Sequence, residues 1–325
     1  MSLRLDLYTL AARHALDAGA LRRLETIAGF RDEPDAAASR IPRVVAVLGA
    51  ALAGFALILW LAANWDDLGR FGRFALLEGA VLATGLGALF SKGARVPLAL
   101  LTMLAIGGLF AFFGQTYQTG ADPWQLFALW AALSLPLCLA VKSDVLWVPF
   151  ALIVMAAVSL WMQAHIGQRW LVKPEDLRIH GIGWIAAVLL CAALSGALTR
   201  YTGAGLWSLR TAETLAIVMI TFGAMIAAFG SLGAFQFWLG LVIMLIAVAI
   251  FALPETFDMF GLCAAALSVN TLAIVALGHV MLRNIGARDS IGVLILLGLL
   301  SAGMLAGTVT AILKLSRARS EGAVE

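Results

Sequence analysis

Charge is what this sequence has little of. Only 13% of its 325 residues are Asp, Glu, Lys or Arg, against roughly 25% in a soluble globular chain, and that shortage excludes a water-exposed surface over most of the molecule. Histidine is scarce as well, with four residues, and no HExxH, GxSxG, phosphate-loop or paired-carboxylate pattern occurs. The expectation is therefore a protein that is not an enzyme. The three cysteines, Cys138, Cys191 and Cys263, stand singly inside apolar runs without CxxC spacing, so they read as small packed hydrophobes. His165 and His180 flank a mixed-charge loop that reads as solvated, and their separation specifies no ligand geometry; neither a metal nor a cofactor is expected.

What the chain does have is hydrocarbon. Apolar residues make up 62% of it and mean hydropathy is +0.97, so at about 20 residues per crossing there is room for about ten spans. Glycine, proline and charge punctuate the text into apolar runs at 44–63, 74–90, 96–113, 124–141, 145–162, 181–199, 212–229, 233–253, 259–282 and 290–313. This predicts an all-α integral membrane protein of about ten transmembrane helices. The weakest break is Gly230-Ser231-Leu232-Gly233, where the flanking runs could instead be re-entrant halves.

Residues 1–43 differ in kind, holding seven basic residues and no run long enough for the core of a signal peptide. Leu3, Leu7, Leu10 and Leu16, then Leu21, Leu24, Ile27 and Ala28, recur at helical spacing on either side of Asp17-Ala18-Gly19. They predict two short amphipathic helices that pack on each other, lie on the membrane or dock a partner, with Pro34 to Ser39 as linker to a bundle at 44–313 and a tail at 314–325. Net charge is +3, but the basic residues sit at the ends of apolar runs, so no nucleic-acid partner follows. With the N-terminus inside, 15 of the 22 Lys and Arg fall on that side and 7 on the other, which by the positive-inside rule predicts an inner-membrane protein with both termini cytosolic. Trp60, Trp65, Trp124, Trp161, Trp170, Trp184 and Trp238 fall near the outer ends of runs, where an indole suits the interface.

Two breaks on the outward side are polar, aromatic and short. The first runs from Asn64-Trp65-Asp66-Asp67 through Arg70 and Arg73; the second is Gly114-Gln115-Thr116-Tyr117-Gln118-Thr119-Gly120-Ala121-Asp122-Pro123-Trp124-Gln125. Capping explains part of them. Asp122, Pro123 and Gln125 fit an N-cap, a first helical position and the third residue of a capping box, and Asn64 with Asp67 can cap likewise. Capping does not require Gln115, Tyr117, Gln118 or Thr119. Since the two loops join consecutive hairpins on one side, they are expected to be neighbours. Inside the runs, Glu78 calls for an ion pair or hydrogen bond, with Arg70 and Arg73 as the nearest partners, or else for a role in handling protons or cations; Gln236, Asn270 and His279 are polar there too. Gly303-xxx-Gly307, Gly261-xxx-Ala265 and Gly49-xxx-Ala53 would let helices of the bundle approach closely.

The Asn-Trp-Asp stretch, the Gly-Gln-x-Tyr-Gln-Thr-Gly-Ala-Asp-Pro-Trp-Gln-Leu-Phe stretch and the charged N-terminal helical segment resemble a family of bacterial polytopic membrane proteins known as domain of unknown function 2157. The resemblance covers the N-terminal segment and roughly the first four spans, about 140 residues. It implies a membrane setting and no mechanism. The candidate binding residues are thus Asn64, Trp65, Asp66, Asp67, Arg70, Arg73, Glu78, Gln115, Tyr117, Gln118, Asp122, Trp124 and Gln125. Their expected partners are membrane lipids and a membrane protein that the chain assembles with or regulates; the alternative is a transporter or binding protein for a small solute or ion.

Overall fold

The computed structural model describes residues 3–14, 16–28, 33–63, 69–117, 120, 122–167, 173–230, 234–283 and 290–321. Among the described residues every regular element is helical: α1 Leu3–Arg13, α2 Ala18–Ile27, α3 Glu33–Ala63, α4 Arg70–Phe90, α5 Arg95–Tyr117, α6 Pro123–Val141, α7 Asp144–Ile166, α8 Leu177–Leu194, the short α9 Thr199–Thr202, α10 Leu206–Gly230, α11 Phe235–Ala252, α12 Met259–Arg283 and α13 Ser290–Glu321. Nine of these, α4 to α8 and α10 to α13, are long and apolar enough to cross a membrane, and α3 contributes a shorter apolar stretch, Val44–Leu57. The chain is an all-α membrane protein. α10 and α11 are unbroken helices of 25 and 18 residues, each long enough for a full crossing at about 1.5 Å per residue. Of the hinge between them, residues 231–233 lie outside the described residues.

One expectation about the ends needs correction. Residues 34–39 form no linker, because α3 begins at Glu33 and runs on through Pro42, the tenth residue of the helix, where the proline gives up one interior hydrogen bond to the carbonyl four residues back. At the other end α13 continues through residues 314–321, so the tail begins as helix. α1 and α2 pair with each other: the Tyr8 hydroxyl donates to Glu25 Oε1 at 2.9 Å, and Asp17 Oδ1 caps α2 by accepting from Ala20 N at 2.7 Å.

α10 lies at the centre of the bundle, packed against α7, α8, α11 and α12. Its sequence explains this. Ala212, Ala216, Ile220, Ala224, Ala227 and Ala228 recur every three or four residues and are all buried, and such a ridge of mostly small side chains lets several helices approach at once. At one end the neighbours supply Met103, Leu146, Trp147 and Phe150; at the other they supply Met162, Trp184, Phe237, Met244 and Leu272. Trp184 is 1% exposed, seated beside Gly223 and Gly240, so the expectation that it marks an interface was wrong: the glycines open a slot that an indole fills. α3 and α4 flank the bundle against α5, and α13 packs on α12, where Asn270 Nδ2 donates to Thr308 Oγ1 at 3.0 Å. Gly261 packs on Phe251, but among the described residues the space outside Gly49, Gly303 and Gly307 is open, so of the three small-residue pairs the described residues show packing within the chain at Gly261 alone.

One carboxylate fixes where α10 starts. Asp144, the first residue of α7, accepts from the backbone N–H groups of Gly205 (2.8 Å), Trp207 (3.1 Å) and Ser208 (3.1 Å). These are donors that a helix N-terminus leaves unpaired, and a negative charge there is favoured. Beside it, Trp147 Nε1 donates to Thr202 O at 2.7 Å. Gly203, at φ +67°, lies so close to Lys142 that a Cβ would meet its carbonyl oxygen at 2.5 Å. Replacing Asp144→Ala is expected to destabilise the detergent-solubilised protein by about 2 kcal/mol or more, seen as a lowered Tm, whereas Asp144→Asn, which keeps one acceptor oxygen, is expected to fall between.

Candidate functional site

Of the residues singled out in the two loops, Asn64, Trp65, Asp66, Asp67 and Gln118 lie outside the described residues. The others divide between two places. α4 opens after Gly69, which is its N-cap residue and offers no side chain to bond. From its first turn the Arg70 guanidinium stands over the rings of Phe71 (5.1 Å) and Tyr117 (6.0 Å). Phe74 packs on Phe112 (4.5 Å) and Tyr117 (5.9 Å), and Tyr117 also on Phe113 (4.8 Å). Leu77, fully buried, closes the cluster from below. The start of α4 and the end of α5 thus form an aromatic corner with a cation on its rim, half-exposed at Tyr117 and open at Phe71. Arg73 is half-buried at this corner and Gln115 is exposed.

Trp124 belongs elsewhere. It packs toward His165 of α7, with ring centroids 6.3 Å apart, and His165 stacks in turn on Trp161 at 4.7 Å. Asp122 is the N-cap residue of α6, but its side chain makes no capping bond; Gln125 N donates to the Asp122 carbonyl instead, at 3.0 Å. The capping box read from the sequence is therefore absent, and both Asp122 and Gln125 are exposed.

Glu78 departs furthest from expectation. It is exposed, and among the described residues it has neither ion pair nor hydrogen bond, so Arg70 and Arg73 are not its partners. It stands on the exposed face of α4 with Ala75 and Leu82, its neighbours three residues back and four residues on, and among the described residues nothing lies within 4 Å of where a Gly79 Cβ would be. What holds α4 is its opposite side. There Thr102 Oγ1 bonds Thr84 Oγ1 at 2.9 Å and Leu98 O at 2.8 Å, Gly87 packs on Leu98, and Arg95 Nε donates to Ala88 O at 3.3 Å. The bundle thus presents a carboxylate, flanked by Ala75 and Leu82, on the outside of an apolar helix, about two turns from its start.

The other polar groups of the apolar runs do not join it. Asn270 is satisfied by Thr308. Gln236, fully buried, donates from Nε2 to Lys173 O at 2.7 Å and ties the start of α11 to the turn before α8. His279 and Gln236 each keep one buried polar atom without a partner among the described residues. The loop before α8 is likewise less solvated than its charges suggest. Asp176 and His180 are buried, with Asp176 Oδ2 accepting from Lys173 N at 2.9 Å and His180 Nδ1 bonded to Asp176 O at 2.9 Å. Glu78, Gln115, Tyr117, Asn270 and Gln236 therefore share no cavity.

A second carboxylate is Glu213, which by its place near the end of an apolar run is expected to snorkel to the interface or pair with Arg210. Glu213 is buried, and its Oε2 has no partner among the described residues. Arg210 turns instead to Asp258, at 3.5 Å, and lies over the Phe260 ring at 5.2 Å. Asp258 also caps α12 by accepting from Gly261 N at 2.7 Å. Nothing local in the sequence reveals this exchange of partners, since Asp258 is 48 residues beyond Arg210.

Residues 8–147 match the model of a family described as "Predicted membrane protein (DUF2157)", a stretch running from α1 into the first residues of α7 and enclosing the aromatic corner and Glu78. The resemblance seen in the two loop motifs holds over that part of the chain. No curated protein matches the chain, and no solved structure does.

The two carboxylates at the far end of the bundle are expected to respond oppositely to removal. Asp258→Ala strands Arg210 and uncaps α12, so Tm in detergent falls. Glu213→Met replaces an unpartnered buried acid with an apolar chain of similar size and leaves Tm unchanged or raised; a large fall in Tm for Glu213→Met would mean that this carboxylate is stabilised after all.

Proposed function

We propose that this membrane protein, matched over residues 8–147 to a family without an assigned activity, is a non-enzymatic assembly or regulatory protein that docks another membrane protein on the exposed face of α4. The single observation behind the reading is Glu78. A charged group facing hydrocarbon costs about 2.5–3.5 kcal/mol at the bilayer centre and less toward the interface, and such residues almost always face protein or water. A partner helix laid along Ala75, Glu78 and Leu82, with the open Gly79 at its edge, would bury the carboxylate against a donor of its own. The aromatic corner of Arg70, Phe71 and Tyr117 lies about two turns away on the same helix and would form the rim of the contact, where aromatic and arginine side chains contribute most.

The occupant that fits is a different chain whose span carries Lys, Arg, His or a hydroxyl opposite Glu78. A second copy meeting this face across a two-fold axis would set Glu78 against Glu78, and two carboxylates in hydrocarbon repel. The charge bias of the N-terminal segment supports an inner-membrane setting with both termini cytosolic. The alternative of a solute or ion transporter draws little support from this geometry, since the polar groups that would line a path sit apart.

Photocrosslinking in the native membrane tests the reading. A photoreactive residue at Ala75 or Leu82 is expected to capture one discrete polypeptide, with capture reduced about tenfold or more in Glu78→Leu, as losing a buried charged hydrogen bond would require. Glu78→Gln, which can still hydrogen-bond, is expected to retain part of it. Lipid adducts alone, or capture that Glu78→Leu leaves unchanged, would remove the proposal.

A further inference from the structure

We infer that the groove between α7, α8 and α10 is a binding site for a single-chain amphiphile whose head carries an O–H group. The groove has a volume of about 800 Å³ and is lined by Leu152, Met155, Val218 and Phe222 along its length, with Ser159, Gln163 and His180 as its polar groups. That size and lining, mostly apolar with a few placed polar atoms, is what pockets for small ligands share. Leu152, Ser159, Gln163, Val218 and Phe222 are exposed, so the groove opens sideways, toward where lipid lies in a membrane. From Leu152 to Ile166 it follows α7 for roughly 21 Å at 1.5 Å per residue, more than the depth of one leaflet, about 15 Å. An extended hydrocarbon chain fits along it.

Chains of bulk lipid would enter any such groove; the polar end is what makes this one a site. Gln163 lies in the last turn of α7 and His180 in the first turn of α8, which puts both at the end of the groove nearest a membrane surface. His180 is 3% exposed. Its Nδ1 lies 2.9 Å from the Asp176 carbonyl oxygen, and because a carbonyl only accepts, Nδ1 carries the hydrogen. In the neutral ring Nε2 is then an acceptor, and it has no hydrogen bond to any described residue. The ring is held in place, with Trp184 edge-on at 5.7 Å and its Cδ2 edge 3.4 Å from where a Gly223 Cβ would stand. A fixed, buried acceptor without a donor selects a ligand that brings one, either an alcohol or a protonated carboxylic acid. The exposed Gln163 amide can serve the head's remaining lone pairs.

The test uses the purified full-length protein in nanodiscs with three photoreactive probes of equal chain length: a diazirine-bearing hexadecanol, the corresponding hexadecanoic acid and the methyl ether of the alcohol. Labelled residues are mapped by mass spectrometry. Saturable labelling of α7 and α10 is expected from the alcohol, the acid or both, the one that labels identifying the head group, with the ether at least about tenfold weaker at equal concentration. Ser159→Phe and Val218→Phe, both at exposed positions in the groove wall, are expected to abolish the labelling with Tm unchanged. His180→Phe is expected to erase the preference over the ether. Labelling spread evenly over exposed helices such as α4 and α13, equal labelling by the ether, or labelling that survives both groove-filling substitutions would overturn the inference.

Discussion

The close approach of four helices to α10 is the constraint on which the rest of the bundle depends. Helices in lipid gain nothing from hiding apolar surface from one another, because lipid is as apolar as they are. Association must come from packing at short range and from hydrogen bonds, and α10 supplies the first through its ridge of mostly alanine, Ala212 to Ala228, all of it buried. The second comes from the ends. Asp144 holds the N-terminus of α10, Gln236 joins α11 to the turn before α8, and Arg210 with Asp258 links α10 to α12. Helices remote from α10 each pack chiefly on one neighbour, α4 on α5 with the Thr84–Thr102 hydroxyl pair and α13 on α12 with Asn270 and Thr308. They accordingly expose more of themselves.

The fold was legible because each crossing is a run of apolar residues closed by a residue that stops a helix. Pro123 at the start of α6 and the break before Met259 fall where the sequence puts them, while α7 runs four residues past 162, to Ile166, and stops at Gly167 with φ +71°. The errors arose where a local rule met a tertiary one. Residues 34–39 look like a linker by composition, yet α3 extends through them, as a helix does when its neighbouring turns carry it. Trp184 looks interfacial by type, but Gly223 and Gly240 on two other helices make room for it in the core. No reading of one segment can see a slot made by two others.

The candidate site divides in the same way. Arg70 and Tyr117 come together as expected of loops joining consecutive hairpins, because α4 and α5 are an antiparallel pair whose turns share one end. Trp124 departs because α6 faces α7 more than it faces α5 at that depth, and His165 is its neighbour. Glu78 was visible as a charge in an apolar run, but which side of the helix it occupies depends on where Thr84, Gly87 and Ala88 find partners on α5. Glu213 was harder still: its nearest cation is spent on Asp258, which the chain reaches only after another full helix.

The tie between Asp144 and α10 also has an order in time. Asp144 and its first donor, Gly205, are 61 residues apart, and at about 5–20 residues per second of synthesis the carboxylate waits seconds before the amides that satisfy it leave the ribosome. The alanine ridge follows later still. Helices α5 to α8 must therefore enter the membrane before the surface that gathers them exists, so the first half of the bundle is held by pairwise contacts alone until the seventh long helix from α3 onward, α10, arrives to close it.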